Sequence, residues 1–302
     1  MSLETKYIWL NGKFVEWDKA TDHTVIHWLH YWTSIFEWIR FYETSQTPAI
    51  FRLQDHMKRF MFSASVLEMD LWFTQQELEK AVVETVAKNE VKNWYIRPVA
   101  RFGYGKMGLN PTGAKVNVEV SVWPWWKYLS EKPIDVVVSS FIRLHPKSAI
   151  MEAKIGGYYV NSVFANQEAT KRWFNEALLL DYEGYVAEWP GENVFFVKWD
   201  TLYTPSLGTI LPGITRDTII NVVAPELGLK VVETKILPED LVIFDEAFFV
   251  WTAAEVTPIG SITLQSWQKI SYNSDTNLKI KDFYMDLVHG KISKYENLLT
   301  YV

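Results

Sequence analysis

Three segments of the chain carry groups whose chemistry could serve one site. The first, Met151-Glu152-Ala153-Lys154-Ile155-Gly156-Gly157-Tyr158-Tyr159, places a lysine amine just before two glycines at the mouth of an expected helix. Glycines there would let the backbone approach a planar ligand closely. The second, Leu211-Pro212-Gly213-Ile214-Thr215-Arg216-Asp217, runs a Pro-Gly turn into an apolar-periodic helix through Ile219, Ile220 and Val223. The unpaired amides and positive dipole end of such a terminus form a phosphate cradle, to which Thr215 adds a hydroxyl. The third, Tyr185-Val186-Ala187-Glu188, ends an expected strand on a carboxylate near Gly191-Glu192-Asn193. Taken singly, each has an ordinary reading: a surface lysine, a capped helix start, a solvated acid. Taken together, an amine, an anion site and a carboxylate are the parts a pyridoxal phosphate enzyme needs. The amine attaches the cofactor, the helix end holds its phosphate, and the acid keeps the pyridine protonated so that the ring accepts electrons.

The elements that must position these groups are partly readable. Asn11-Gly12 between apolar runs signals a tight hairpin, so the chain begins with β structure. Residues 52–68 carry Leu53, Met57, Phe60, Met61 and Ala64 at helical spacing, and Thr74 with Glu77 forms a capping box opening a second helix through Val86. Val116, Val118, Val120 and Val122 alternate strictly, as in a half-buried strand. The aromatic and Pro segment after Val122, followed by Ser130-Glu131-Lys132-Pro133, marks a candidate domain junction. Beyond it the pattern predicts strands at 135–144, 177–180, 185–188, 194–197, 231–234 and 247–250. Helices are expected at 159–173, after Gly213, and near 280–288. The mixture points to α+β structure in both halves.

Composition narrows the functions. With 302 residues, 48% of them hydrophobic, the chain can bury substantial cores. It has no cysteine, which excludes disulfides and a cysteine nucleophile and suits a reducing cytoplasm. No stretch has the roughly 18 apolar residues that a membrane span needs. A net charge of −6 with interspersed signs argues against a nucleic-acid surface. The six histidines offer no ligand set for a metal beyond the His27 and His30 cluster, which reads as packing.

His30-Tyr31, Phe36-Glu37, Tyr95-Ile96-Arg97-Pro98, Ala153-Lys154-Ile155-Gly156-Gly157, Glu188, Gly191-Glu192-Asn193, the 211–217 segment and Thr252-Ala253-Ala254-Glu255-Val256-Thr257-Pro258 stand in a specific order and spacing. In these the chain resembles the branched-chain aminotransferases over nearly its whole length, down to the closing Tyr295-Glu296-Asn297-Leu298-Leu299-Thr300-Tyr301-Val302. The resemblance implies an α/β (mixed α+β) class IV pyridoxal-phosphate aminotransferase fold. It would have a small N-terminal α/β domain over 1–122, an interdomain loop over 123–134, a larger cofactor-binding domain over 135–302, and the active site in the cleft between the domains. It also implies transamination of leucine, isoleucine and valine with 2-oxoglutarate through a Lys154 Schiff base in ping-pong half-reactions.

Residue by residue, the resemblance makes Lys154 the attachment point and the proton-moving base. Glu188 would face the pyridine nitrogen and Tyr159 would bond the phenolic oxygen. Arg59, Ile214, Thr215 and Thr252 would hold the phosphate of pyridoxal 5'-phosphate. Thr252 and Ala253, supported by Tyr95 and Arg97, would receive the substrate carboxylate, while Tyr31, Phe36, Trp125 and Tyr128 would line the side-chain pocket. The family pairs as homodimers or larger assemblies of dimers. A D-amino acid aminotransferase, an aminodeoxychorismate lyase and a catalytically impaired relative are the alternatives on the same fold; the Tyr95-Ile96-Arg97 segment favours branched-chain substrates.

The chain departs from the family at tryptophan. It holds 15 Trp against 14 Gly, whereas glycine is ordinarily about 7% of residues. Trp32, Trp38, Trp126, Trp189 and Trp251, and further Trp28, Trp173 and Trp199, stand where the family has glycine; Tyr158 stands where it has Asn. An indole adds roughly 200 Å² of surface, and overpacking costs about 1–3 kcal/mol, with a strain term wherever φ is positive. Three outcomes are open: a compensated and narrowed pocket, a folded chain impaired in transfer, or a written sequence that misreports glycine, which the one-directional pattern favours. Misreporting predicts an intact mass well below 35.3 kDa, so mass spectrometry returning 35.3 kDa would rule it out.

Overall fold

The computed structural model describes residues 4–91, 94–124 and 132–302; Trp125, Trp126 and Tyr128 lie outside the described residues. The chain divides into two compact units, one of Met1–Trp126, Ala153–Gly157 and Asp286–Val302, the other of Lys127–Glu152 and Tyr158–Met285. Among the described residues each unit builds its own eight-stranded sheet.

In the first unit, β1 (Tyr7–Leu10) and β2 (Lys13–Glu16) form the expected hairpin, with Asn11 and Gly12 both at positive φ as a tight two-residue turn requires. The remaining strands are β3 (Ser34–Phe36), β4 (Ile39–Tyr42), β5 (Ala49–Phe51), β6 (Tyr95–Phe102), β7 (Val116–Trp123) and a closing strand, Leu299–Tyr301. Their order is closing strand, β5, β4, β6, β7, β1, β2, with β3 also paired to β6. All four alternating valines of β7 are buried. After the short α1 (His27–Tyr31), α2 (Leu53–Val66) buries Leu53, His56, Met57, Phe60, Ser63 and Ala64. α3 (Gln75–Asn89) opens with the Thr74–Glu77 capping box and packs on α2, β1 and β7.

In the second unit the strands are β8 (Ile134–Ile142), β9 (Glu176–Leu180), β10 (Asn193–Lys198), β11 (Thr201–Pro205), β12 (Lys230–Thr234), β13 (Glu246–Trp251), β14 (Glu255–Thr263) and β15 (Lys269–Ser271). They are ordered β12-β11-β10-β13-β14-β8-β9, with β15 beside β14. Two sequential pairs, β8–β9 and β11–β12, are parallel and therefore need crossovers. α4 (Tyr159–Lys171) supplies one. The other is a continuous helical run: α5 (Ile214–Thr218), a π turn (Ile219–Val223) and α6 (Ala224–Glu226). The last helix, α7, spans Asp275–Val288. The expected strand at 185–188 is not one: only Val186 bridges to Leu180. Its backbone bonds instead to Leu179 and Ile236, after a turn in which the Asp181 carboxylate accepts from the Glu183 and Tyr185 amides.

Two physical classes stand out among the tryptophans. Trp32, Trp72, Trp173, Trp199 and Trp267 have φ between 54° and 67°, the left-handed region that favours glycine. Trp173 shows why: the Trp173 amide donates to Thr170 O and the Phe174 amide to Ala169 O, the Schellman closure of α4 in which glycine ordinarily takes that place. Its indole is 96% exposed and contributes little burial. Trp189 is the opposite case, fully buried with its ring 4.0 Å from Phe249. Trp173→Gly is therefore expected to raise stability by about 1 kcal/mol through relief of left-handed strain. Trp189→Gly is expected to lower it by about 3–5 kcal/mol through the cavity it leaves. Urea unfolding of the two variants beside the parent checks both signs.

Candidate active site

Lys154 belongs to the first unit, where its segment is pinned at several points. Its amide donates to Ser63 Oγ at 2.9 Å, that hydroxyl donates to Arg59 O, and its carbonyl accepts from the Phe36 amide. Ile155 bridges to Ile35. The two glycines that follow serve this docking: a Cβ at Gly156 would collide with Ser34 Oγ, and one at Gly157 would press on the Trp32 carbonyl. They face Ser34 at the start of β3 and Trp32 two residues before it, a packing role beside the ligand approach expected of them. Lys154 is only 3% exposed, and its Nζ lies 4.3 Å from the Trp38 ring centroid and 5.0 Å from that of Phe36.

A buried ionic group stands on the same unit. Glu37, fully buried, takes Arg59 Nε at 2.7 Å on one oxygen and Arg59 Nη2 at 2.8 Å on the other, with His56 Nδ1 at 2.8 Å. Burial alone would raise the Glu37 pKa. The Arg59 charge and the hydrogen bonds from Arg59 and His56 outweigh it, holding Glu37 at about 2. Burial pushes His56 below its usual value, against the pull of Glu37. Arg97 lies within 5.0 to 5.5 Å of the Phe36, Tyr95, Trp123 and Trp38 rings, and its Nη2 donates to Tyr95 Oη at 3.1 Å. Tyr31 is exposed, its hydroxyl donating to Met107 O.

The second unit gathers the carboxylate and the anion cradle. Glu188 is buried, with Arg143 Nε at 2.6 Å; Asn193 Nδ2 donates to it at 3.1 Å, and the Leu211 amide lies within reach of both its oxygens. Asn193 Nδ2 also reaches Leu211 O. A Cβ on Gly213 would strike Asn193 Oδ1, so glycine is what lets the 211–213 turn close on this network. Gly213 then caps α5, leaving Ile214 and Thr215 buried at its first turn. Thr252 and Ala253 lie in the turn joining β13 to β14, where Trp251 pairs with Glu255. Tyr159 begins α4. Ser63, His56 and Arg143 were not singled out by sequence. The first two lie on the buried face of α2, but a lone arginine after a strand gives no signal until its carboxylate partner is seen.

Glu37 generates a pH test. A carboxyl held below its unfolded value contributes stability present above about pH 4.5 and lost as pH falls toward 2. The depressed His56 acts in the same direction below about pH 6.5. Glu37→Gln removes one partner of a buried pair, which costs about 3–5 kcal/mol near neutrality. Its deficit against the parent in urea midpoint is expected to be large at pH 7 and to shrink at pH 3.

The model of the amino-transferase class IV family matches residues 34–262. A branched-chain-amino-acid aminotransferase of Pseudomonas aeruginosa is 41% identical over 301 residues, 98% of this chain and 97% of its own length. One from Escherichia coli K12 is 40% identical over 262 residues, 85% of this chain and 84% of its own. Among solved structures, a T.th. branched-chain amino acid aminotransferase complexed with N-(5'-phosphopyridoxyl)-L-glutamate superposes with TM-score 0.94 at 41% identity, covering 99% of each chain. The Thermoproteus uzoniensis enzyme with norvaline gives TM-score 0.93 at 38% identity over 98% of this chain and 99% of its own. The amine-bearing segment, the buried carboxylate and the glycine-opened helix thus sit on a class IV scaffold, and the chain belongs to the class IV aminotransferases.

Proposed function

We propose that this chain is a pyridoxal 5'-phosphate-dependent aminotransferase that moves the amino group of leucine, isoleucine and valine to 2-oxoglutarate. The residues present fit that cofactor: a buried amine at Lys154, a buried acid at Glu188, and a helix opening at Ile214 and Thr215. One observation carries the reading furthest. Asn193 and the Leu211 amide tie Glu188 to the turn that opens α5, so acid and anion cradle keep a fixed spacing. A rigid ligand with a ring nitrogen at one end and a phosphate at the other needs that constancy. When bound, the cofactor supplies an electron sink that makes the proton on the substrate α-carbon removable.

The chain's own groups divide the remaining work. Lys154 would hold the cofactor through Nζ and, with that amine free, would take and return the α-carbon proton. Glu188, held in place by Arg143, accepts the ring N–H, and Tyr159 donates to the phenolic oxygen. Arg59, Ile214, Thr215 and Thr252 hold the phosphate, with Glu37 fixing the plane of the Arg59 guanidinium. The amides of Thr252 and Ala253, supported by Tyr95 and Arg97, receive the substrate carboxylate. Tyr31 and Phe36, together with Trp125 and Tyr128, wall the side chain. The working form is a homodimer or an assembly of dimers in the cytoplasm. Among the described residues no helix is long and apolar enough to cross a membrane, and no group of His, Cys, Asp and Glu could hold a metal ion.

Cofactor-loaded protein is expected to change its visible absorbance on addition of L-leucine and to recover it on addition of 2-oxoglutarate. Lys154→Ala should do neither, and D-alanine should leave the parent unchanged. A loaded protein silent to L-leucine would overturn the proposal; a response to D-alanine in place of L-leucine would overturn the substrate assignment.

A further inference from the structure

We infer that Ser63 is a positioning residue for the transfer reaction, its hydroxyl closing a ring of bonds that sets the spacing between Lys154 and Arg59. That role rests on the reading of Lys154 as the attachment point and of Arg59 as a holder of the phosphate. All members of the ring belong to the first unit. From the Lys154 amide the path runs to Ser63 Oγ at 2.9 Å, and from that hydroxyl to Arg59 O at 2.8 Å. The Arg59 side chain continues it through Nε and Nη2 to the Glu37 carboxylate, at 2.7 and 2.8 Å. Glu37 follows Phe36 in the chain, and the Phe36 amide donates to Lys154 O at 3.2 Å, which returns the path to its start. The peptide groups on either side of the Lys154 α-carbon are thus both tied to Arg59, one through its backbone and one through its side chain.

A serine that bonds the carbonyl four residues back is ordinary on a helix and by itself says nothing of function. Its second bond sets Ser63 apart. A hydroxyl has one hydrogen to donate and an amide N–H can only donate, so the Ser63 hydrogen goes to Arg59 O while a lone pair receives Lys154. Ser63 and Lys154 are both buried, which keeps bulk water from standing in for the hydroxyl. Leu53, Met57 and Phe60 seat α2 by apolar packing, which has no preferred direction, whereas the bonds at Ser63 are directional. A rigid ligand joined to Lys154 at its aldehyde and to Arg59 at its phosphate feels any slide of α2 at both ends. An aldehyde without the phosphate feels it at one. A misplacement of about 1 Å can cost about 100-fold in rate, so a fraction of that should cost the first ligand about tenfold and the second little.

Reductive labelling of the full-length protein without cofactor reads the ring through two probes, pyridoxal 5'-phosphate and 5'-deoxypyridoxal, the same aldehyde without the phosphate. Nζ adds to the aldehyde carbon, the oxygen leaves as water, and cyanoborohydride delivers hydride to the carbon of the protonated C=N, leaving a secondary amine located by peptide mass. The parent is expected to label Lys154 with the phosphate-bearing aldehyde in preference to the other. Ser63→Ala should lower that preference about tenfold. Ser63→Cys, which fills the same place with a weak acceptor, should lower it by less, and Ser63→Thr, which keeps the hydroxyl, should retain it. Leu78→Ala, which opens a cavity on the buried face of α3 away from the ring, should lower the urea midpoint and leave the preference unchanged. An unchanged preference in Ser63→Ala and Ser63→Cys, or an equal fall in Leu78→Ala, would overturn the role of Ser63 alone. Should Ser63→Ala not fold, the Ser63→Cys ratio carries the same outcomes. A parent that leaves Lys154 unlabelled, or labels it without regard to the phosphate, would overturn the reading of Lys154 and Arg59 and this one with it.

Discussion

Burying a charge is the costly step on which this molecule depends, because an ion removed from water must find a partner of opposite sign or be neutralised. Glu188 and Glu37 are both buried carboxylates, and each is met by an arginine at 2.6 to 2.7 Å. The pairs are weak stabilisers compared with an apolar core of equal volume. What they provide is placement. Around Glu188 the partners are the Asn193 amide group and the backbone of the turn before α5, so the position of a helix terminus depends on the same carboxylate. Around Glu37 the partner Arg59 lies on α2, where its carbonyl receives the Ser63 hydroxyl that holds the Lys154 amide. Each ionic pair is thus the fixed point from which a functional group is suspended.

Sequence reading located the parts that leave a local signature. The Asn11-Gly12 hairpin, the capping box at Thr74, the alternating valines of β7 and the Pro-Gly start of α5 are all made by residues adjacent in the chain. Their physics is complete within a few residues, so a pattern suffices. β3, β4 and β5 have three or four residues each, too few for a period to show, and exist because β6 and the closing strand lie beside them. The 185–188 segment failed in the opposite sense. Its apolar alternation looks like a strand, but long-range bonds to Leu179 and Ile236 decided its path.

The site was legible to the extent that a family resemblance places named residues on a chain, and composition alone would not have found it. What remained hidden was the supporting shell. Arg143 and Glu188 are 45 residues apart, and Ser63 and Lys154 are 91 apart. Such pairs have no spacing rule. The glycines show the same limit from another side: Gly156, Gly157 and Gly213 were noticed for what a ligand would ask of them, yet in the fold a Cβ would clash at Gly156 and Gly213 and press tightly at Gly157.

Tryptophan tests how far a scaffold tolerates side chains its backbone does not want. Where the fold needs a left-handed residue, as at Trp173 and Trp199, the indole is exposed, and the cost is confined to the backbone. Where the fold needs packing, as at Trp189, the indole is absorbed in a core that includes Val194, Phe196 and Phe249. Trp38 belongs to neither class. Its φ is not positive and its side chain is half-buried; it stands against an amine and a guanidinium that chemistry would require to be approached. The indole there carries no left-handed strain, and its consequence falls on the space beside the Lys154 amine rather than on the backbone.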